Sequence, residues 1–271
     1  MKNKKLRVLF TFALVAVMTF AIAFSFSASA LITDAELTAG RAFEDGEAIQ
    51  IGKDLTEMPR TYEAVVYVPA DVDQHSAILS NYHPLGGIGH IDFAVRMGGG
   101  QARPALDIID QNNNRTRVEF KTEIRGDSWM HIVITHETNA AGDIYTCYVN
   151  GTKITNKSVT YWVDGTSTKD ANLTHDLDME YMQEGVSMYV GQAFGYNSIT
   201  ELGAEDPYNK DGEYLPTNFK GRIKNIALYS DVLTESEAKA NYNSGINAKH
   251  EDIMLCYDLP RTQKEKIITF N

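Results

Sequence analysis

Through most of the chain, apolar residues recur at every second position. Residues 48–51 (AIQI), 61–69 (TYEAVVYVP) and 90–97 (HIDFAVRM) alternate in this way, as do 129–136 (WMHIVITH) and 144–149 (IYTCYV). Period 2 is the pattern of a strand that buries one face. Shorter runs at 77–82, 105–109, 117–120, 154–160, 188–191 and 253–259 extend the series. Turn residues separate them: Asp45-Gly46, the glycines at 98–100, Asn112 to Asn114, and Asn150-Gly151. Asn-Gly between two alternating runs predicts a tight hairpin.

One segment has another rhythm. In residues 219–245 (FKGRIKNIALYSDVLTESEAKANYNSG), a strand with Ile223, Ile226 and Leu228 leads into a short helix near 234–243. Thr234 stands three residues before Glu237, which predicts a capping box. Leu233 is placed to staple against Ala238, and Gly245 falls at the C-cap. The helix is expected to cover an edge or end of the strands. Short strands at roughly ten-residue spacing define an all-β sandwich or barrel.

Composition adds a leader. Lys2, Lys4, Lys5 and Arg7 precede an apolar run at 9–26, and Ala28-Ser29-Ala30 follows. Residues 1–30 therefore read as a secretory signal peptide, 31–259 as one domain, and 260–271 as a tail or the start of a further segment. The leader holds four of the 25 basic residues and none of the 36 acidic ones, so the remainder carries a formal −15. That charge disfavours nucleic acid and anionic lipid as partners. The place of action is secreted or cell-surface. Cys147 and Cys256 both sit in strand-like runs and read as buried thiols; one disulfide is the alternative.

The order of motifs carries a resemblance. WMHIVITHE, DIYTCYVNG, MYVG and FKGRIKNIALYSDVLTESEAK follow one another. Trp129, His131, Tyr148, Asn150, Gly151, Gly191, Phe219, Gly221, Ile223, Asn225 and Leu228 are the residues that match. The chain resembles the laminin-G-like, concanavalin A-like lectin/glucanase superfamily over roughly residues 42–258. The resemblance implies a two-sheet antiparallel jelly-roll sandwich. It leaves function open, because this fold hosts lectins, adhesion modules, hydrolases and spacers.

Catalytic signals are weak. Asp176, Asp178 and Glu180 could share a strand face, but their segment has poor strand character. No P-loop, zinc-protease or nucleophile-elbow motif is present. Ca²⁺ is a candidate ligand through loop carboxylates, with Asp45, Glu47, Asp206 and Asp211 as its candidate residues. Sugar recognition needs flat aromatics beside amides and carboxylates. Asn81, Tyr82 and His83 offer that chemistry, as do Trp162, Tyr196, Asn197, Tyr208 and Tyr214. The expectation is an exported, non-catalytic recognition or adhesion module for a glycan or an extracellular protein. The alternatives are an ancillary domain of a secreted hydrolase and a ligand-free spacer.

Overall fold

A computed structural model describes residues 40–43, 47–51, 55, 57–70, 75–81, 89–98, 100–112, 114–140, 142–163, 166–169, 188–193, 217–259 and 267–269. All lie in the unit Thr38–Asn271. The strands, in chain order, are β1 (Arg41–Ala42), β2 (Glu47–Ile51), β3 (Thr61–Val68), β4 (Ser76–Ser80), β5 (His90–Gly98) and β6 (Gln101–Ile109). Next come β7 (Arg115–Phe120), β8 (Ser128–Asn139), β9 (Gly142–Val149), β10 (Thr152–Ile154), β11 (Lys157–Val163) and β12 (Thr166–Lys169). Last are β13 (Met188–Val190), β14 (Gln192–Ala193), β15 (Thr217–Asn218), β16 (Arg222–Tyr229), β17 (Ile253–Asp258) and β18 (Ile267–Thr269). A helix, α1 (Glu235–Ser244), lies between β16 and β17.

Two antiparallel sheets form a jelly-roll sandwich. A seven-stranded sheet runs β1-β16-β3-β8-β9-β10, with β17 also paired to β16. A nine-stranded sheet runs β12-β11-β7-β6-β5-β4-β13-β2-β18. Alternate residues of both sheets meet in one core: Tyr62, Met130, Ile132, Ile226 and Leu228 from the first, Phe93, Leu106, Ile108, Val118 and Phe120 from the second. Tyr62 and Phe93 bridge the layers with ring centroids 6.2 Å apart. The alternation seen in sequence is thus the sandwich interior.

The predicted return strand at 154–160 proves to be two. Residues 152–154 finish the seven-stranded sheet, and 157–163 join β7 in the nine-stranded one. Thr155 and Asn156 carry the chain between layers, which an apolar pattern cannot show. The ends of the expected irregular insertion pair as β14 and β15.

Asn150 and Gly151 both have positive φ, 51° and 70°, as the primed hairpin turn requires. Asn150 Oδ1 accepts from His131 N at 2.9 Å and ties the turn to β8. Gly221 has φ 141°, and a Cβ there would lie 2.2 Å from the Tyr67 carbonyl oxygen, so no larger residue fits without moving β3.

The helix caps as its sequence predicts. Glu237 N donates to Thr234 Oγ1 at 3.3 Å, and Thr234 N donates to Glu237 Oε2 at 2.7 Å. Gly245 N donates to the Asn241 carbonyl at 2.8 Å. Leu233 and Ala238 are buried with Val133, Tyr148, Ala227 and Tyr229. These last four belong to the outer face of β8, β9 and β16. The helix therefore lies on that face and not at a sandwich edge or end. Thr234→Ala is expected to cost about 1 kcal/mol in urea unfolding, the usual value of an N-cap.

The cysteines also correct an expectation. Cys147 is buried, but Cys256 is exposed, and both are free thiols. Cys147 shares a row with Ile134, Tyr62 and Leu228 on the inner face; Cys256 shares one with Ala227 and Glu63 on the outer face. Four strand spacings of about 4.8 Å separate their strands, far beyond a disulfide's reach.

Candidate functional site

Each sheet has an outer face, and the two differ in kind. On the seven-stranded sheet, α1 closes over a buried polar knot. Glu63 is fully buried on β3. Its carboxylate accepts from His131 Nε2 at 2.6 Å, from the Asn241 amide at 3.1 Å to each oxygen, and from the Tyr229 hydroxyl. Burial, and then the Glu63 charge, push the Tyr229 hydroxyl far above its ordinary pKa. The Asn241 amide ties α1 to Glu63 on β3, so the knot fastens the helix to the sheet.

The nine-stranded sheet instead presents charged side chains. Strand register sets them out in rows. One row reads Tyr189, Ser80, Asp92, Asp107, Arg117, Thr160 across β13, β4, β5, β6, β7 and β11. A second reads Ala77, Ala94, Ala105, Glu119, Ser158. Next to it Arg96 stands directly opposite Arg103. On the far side of the first row, Arg115 stands opposite Trp162. The alanines are excluded from solvent. The accessible surface is therefore made by the long side chains around them, each about a fifth to a quarter exposed: Arg96 19%, Glu119 22%, Arg117 23% and Arg103 26%.

Two clusters divide this surface. In the first, Arg115 Nε and Nη2 donate to the two oxygens of Asp107 at 2.7 and 2.6 Å, and Arg117 Nε adds a third bond at 2.8 Å. Burial alone would raise the Asp107 carboxyl; the Arg115 hydrogen bonds and both guanidinium charges outweigh it and hold the group below the usual carboxylate range. Both guanidiniums also lie over the Trp162 ring, 4.9 and 5.4 Å from its centroid. The indole is thereby held in one orientation beside a line of polar groups. In the second cluster, Arg96 and Arg103 flank Glu119 at 3.9 and 3.8 Å, too long for hydrogen bonds. His75 Nε2 pairs with Asp92 Oδ2 at 2.7 Å on the same face.

The residues singled out from sequence fall as follows. Trp162 belongs to this face. Asn81 is fully buried; its amide donates to the Gly89 carbonyl at 3.1 Å and accepts from Ile91 N at 2.6 Å, bracing the turn into β5. Glu47 lies on β2, 3.7 Å from Arg41. Tyr82, His83, Tyr196, Asn197, Tyr208, Tyr214, Asp45, Asp206 and Asp211 lie outside the described residues, as do Asp176, Asp178 and Glu180. Among the described residues, no three His, Cys, Asp or Glu side chains gather to hold a metal ion. No described helix is long and apolar enough to cross a membrane. His131 and His136 face opposite ways, as their spacing predicts: His136 is buried with Asp143 at 2.9 Å.

Sequence reading missed the arginines and Asp107. The signal was there in RTRVEF, HIDFAVRM and QARPALDII, where charged residues occupy positions that alternate with the core.

The chain belongs to the concanavalin A-like lectin/glucanases superfamily, whose Laminin_G_3 family model matches residues 43–239. No curated protein sequence matches it. Solved structures resemble the chain at low identity. The CBM40 module of a Ruminococcus gnavus IT-sialidase, bound to α2,3-sialyllactose, is 12% identical with a TM-score of 0.47; the match covers 74% of this chain and 95% of that one. A heptameric SAP-like pentraxin from Limulus polyphemus is 9% identical with a TM-score of 0.47, covering 82% and 94%. The full-length tailspike protein 2 from the Escherichia coli O157:H7 bacteriophage CAB120 is 10% identical with a TM-score of 0.51, covering 81% and 26%. The tailspike likeness, at this identity, is one of fold alone.

Proposed function

We propose that the protein is an exported, non-catalytic recognition module that binds glycans on the outer face of its nine-stranded sheet. The observation that carries this is the Trp162 indole, held by Arg115 and Arg117 close to Asp107 and Thr160. A flat aromatic supplies a stacking surface for a sugar ring, and the adjoining side chains supply donors and acceptors for its hydroxyls. Membership of a lectin superfamily supports the reading, and the leader at 1–30 supports export.

A hydrolytic reading would rest on Asp92 and Asp107, which oppose each other on β5 and β6. Glycoside hydrolysis needs one carboxyl kept protonated as general acid. Asp107 is held in the opposite sense, ionised and bonded to two arginines. This favours binding over hydrolysis, and no reducing sugar is expected to be released.

The test is a glycan array probed with the purified protein and with Trp162→Ala. The parent is expected to bind a defined set of saccharides, and the variant to bind them at least tenfold more weakly, as for an aromatic anchor. Equal binding by both proteins would move the site elsewhere.

A further inference from the structure

The ligand's charge can be read from the same face; this step rests on the glycan-binding reading. Like charges placed directly opposite on neighbouring strands are destabilising. Arg96 and Arg103 are such a pair, on adjacent strands and on the same face. Their shared acidic neighbour, Glu119, stays 3.9 and 3.8 Å away. One row beyond Glu119 the contrast is sharp: Asp107 receives three bonds of 2.6–2.8 Å from Arg115 and Arg117. A guanidinium offers five N–H donors. Arg103 Nε is buried and makes no hydrogen bond, and Asp92 Oδ1 on the same face is in the same condition. A buried donor without an acceptor is costly, which adds to the strain of the like-charged pair.

The setting sharpens the point. The chain has 25 basic and 36 acidic residues, yet four of its ten arginines share one face of three adjacent strands. Burial, then the nearby Arg117 charge, push the Arg96 guanidinium below its usual range, and the Asp92, Asp107 and Glu119 carboxylates only partly offset them. An incoming anion would relieve both strains. A carboxylate or sulfate has two or three oxygens at the spacing of a guanidinium fork and can bridge two such groups. A neutral sugar would leave the pair as it is. A long polyanion such as nucleic acid would meet the net negative charge of the rest of the molecule.

We infer that this face takes an acidic saccharide, its carboxylate or sulfate seated on the Arg96–Arg103 pair while the following rings run along the strands toward Trp162, about 20 Å away.

Titration calorimetry with four probes tests this: a uronate-containing oligosaccharide, its carboxyl-reduced neutral counterpart, a sulfated oligosaccharide of neutral backbone, and a single-stranded oligonucleotide. The acidic saccharides are expected to bind at least tenfold more tightly than the neutral one, and the uronate and sulfate arms separate the two sources of charge. Arg96→Ala and Arg103→Ala should each weaken acidic binding on the order of tenfold to a hundredfold and leave neutral binding unchanged. Affinity of the unmutated protein for the acidic probe should fall as sodium chloride is raised, which needs no variant to fold. If the neutral counterpart binds as tightly as the uronate while Trp162→Ala removes both, the glycan face stands and the acidic assignment falls. Equal binding of the oligonucleotide overturns the saccharide assignment. If no saccharide binds, both readings fall.

Discussion

Replacing Glu63 with alanine lowers stability by roughly 3–5 kcal/mol, the largest effect expected of any single change discussed for this protein. The Tyr229 hydroxyl, the Asn241 amide and His131 Nε2–H all donate to that one carboxylate. Its removal leaves three donors without an acceptor in a buried site, and each costs about 1–3 kcal/mol. A cavity adds to the loss. Glu63→Gln keeps the shape and one acceptor oxygen, so it should fall between the parent and alanine. Urea unfolding measures both, and the melting temperature of Glu63→Ala should drop by about 10 °C for a domain of this size. Amide exchange in α1 should rise more than in β5 or β6, because Asn241 links the helix to the sheet at this point. A loss below about 1 kcal/mol would mean that the knot does not fasten the helix.

Asp107→Asn is the second large effect, about 2–3 kcal/mol at neutral pH. The figure lies below the usual range for breaking a buried ion pair, because Arg115 and Arg117 are 28% and 23% exposed and partly screened by water. The effect should also depend on pH in a fixed direction. The folded carboxyl is held below its ordinary pKa, so the unfolded chain binds more protons between the two values. The carboxylate's contribution is therefore complete above the unfolded value of about 4 and is lost as pH falls through the lower folded value. Melting curves of parent and variant should differ by a constant amount from near pH 7 down to about pH 5, and converge below about pH 4. Divergence toward acid would reverse the sign and contradict the clamp.

Most of the fold was legible because one physical signal repeats. Each core strand alternates, and each turn residue has a conformational reason, as at Asn150-Gly151. The Thr234–Glu237 cap was equally local, since both partners lie within one helical turn. What could not be read is non-local. The layer change after Ile154 depends on which sheet receives the next strand. The exposure of Cys256 depends on which face of β17 is covered, and α1 does not cover it. The helix's position depends on Glu63, 178 residues from Asn241.

The candidate site divides in the same way. Trp162 can be picked out from sequence as a flat aromatic in a polar strand. The arginines look like an ordinary solvent face until register places Arg96 opposite Arg103 and Arg117 opposite Asp107. A single alternating strand carries no record of its neighbour's charges, so the pairing that gives the face its character appears only when the sheet is assembled.

The chain's two tryptophans allow a direct test of where the ligand lies. Trp129 is on the outer face of the seven-stranded sheet, edge-on to Tyr67 with ring centroids 5.8 Å apart. Trp162 is on the outer face of the nine-stranded sheet. The two indole N–H resonances of the nitrogen-labelled protein can be followed during titration with a saccharide shown to bind by calorimetry. The Trp162 signal is expected to move to saturation with the calorimetric affinity while the Trp129 signal stays in place. Movement of Trp129 alone, or of neither signal at full occupancy, would contradict a ligand site on the nine-stranded face.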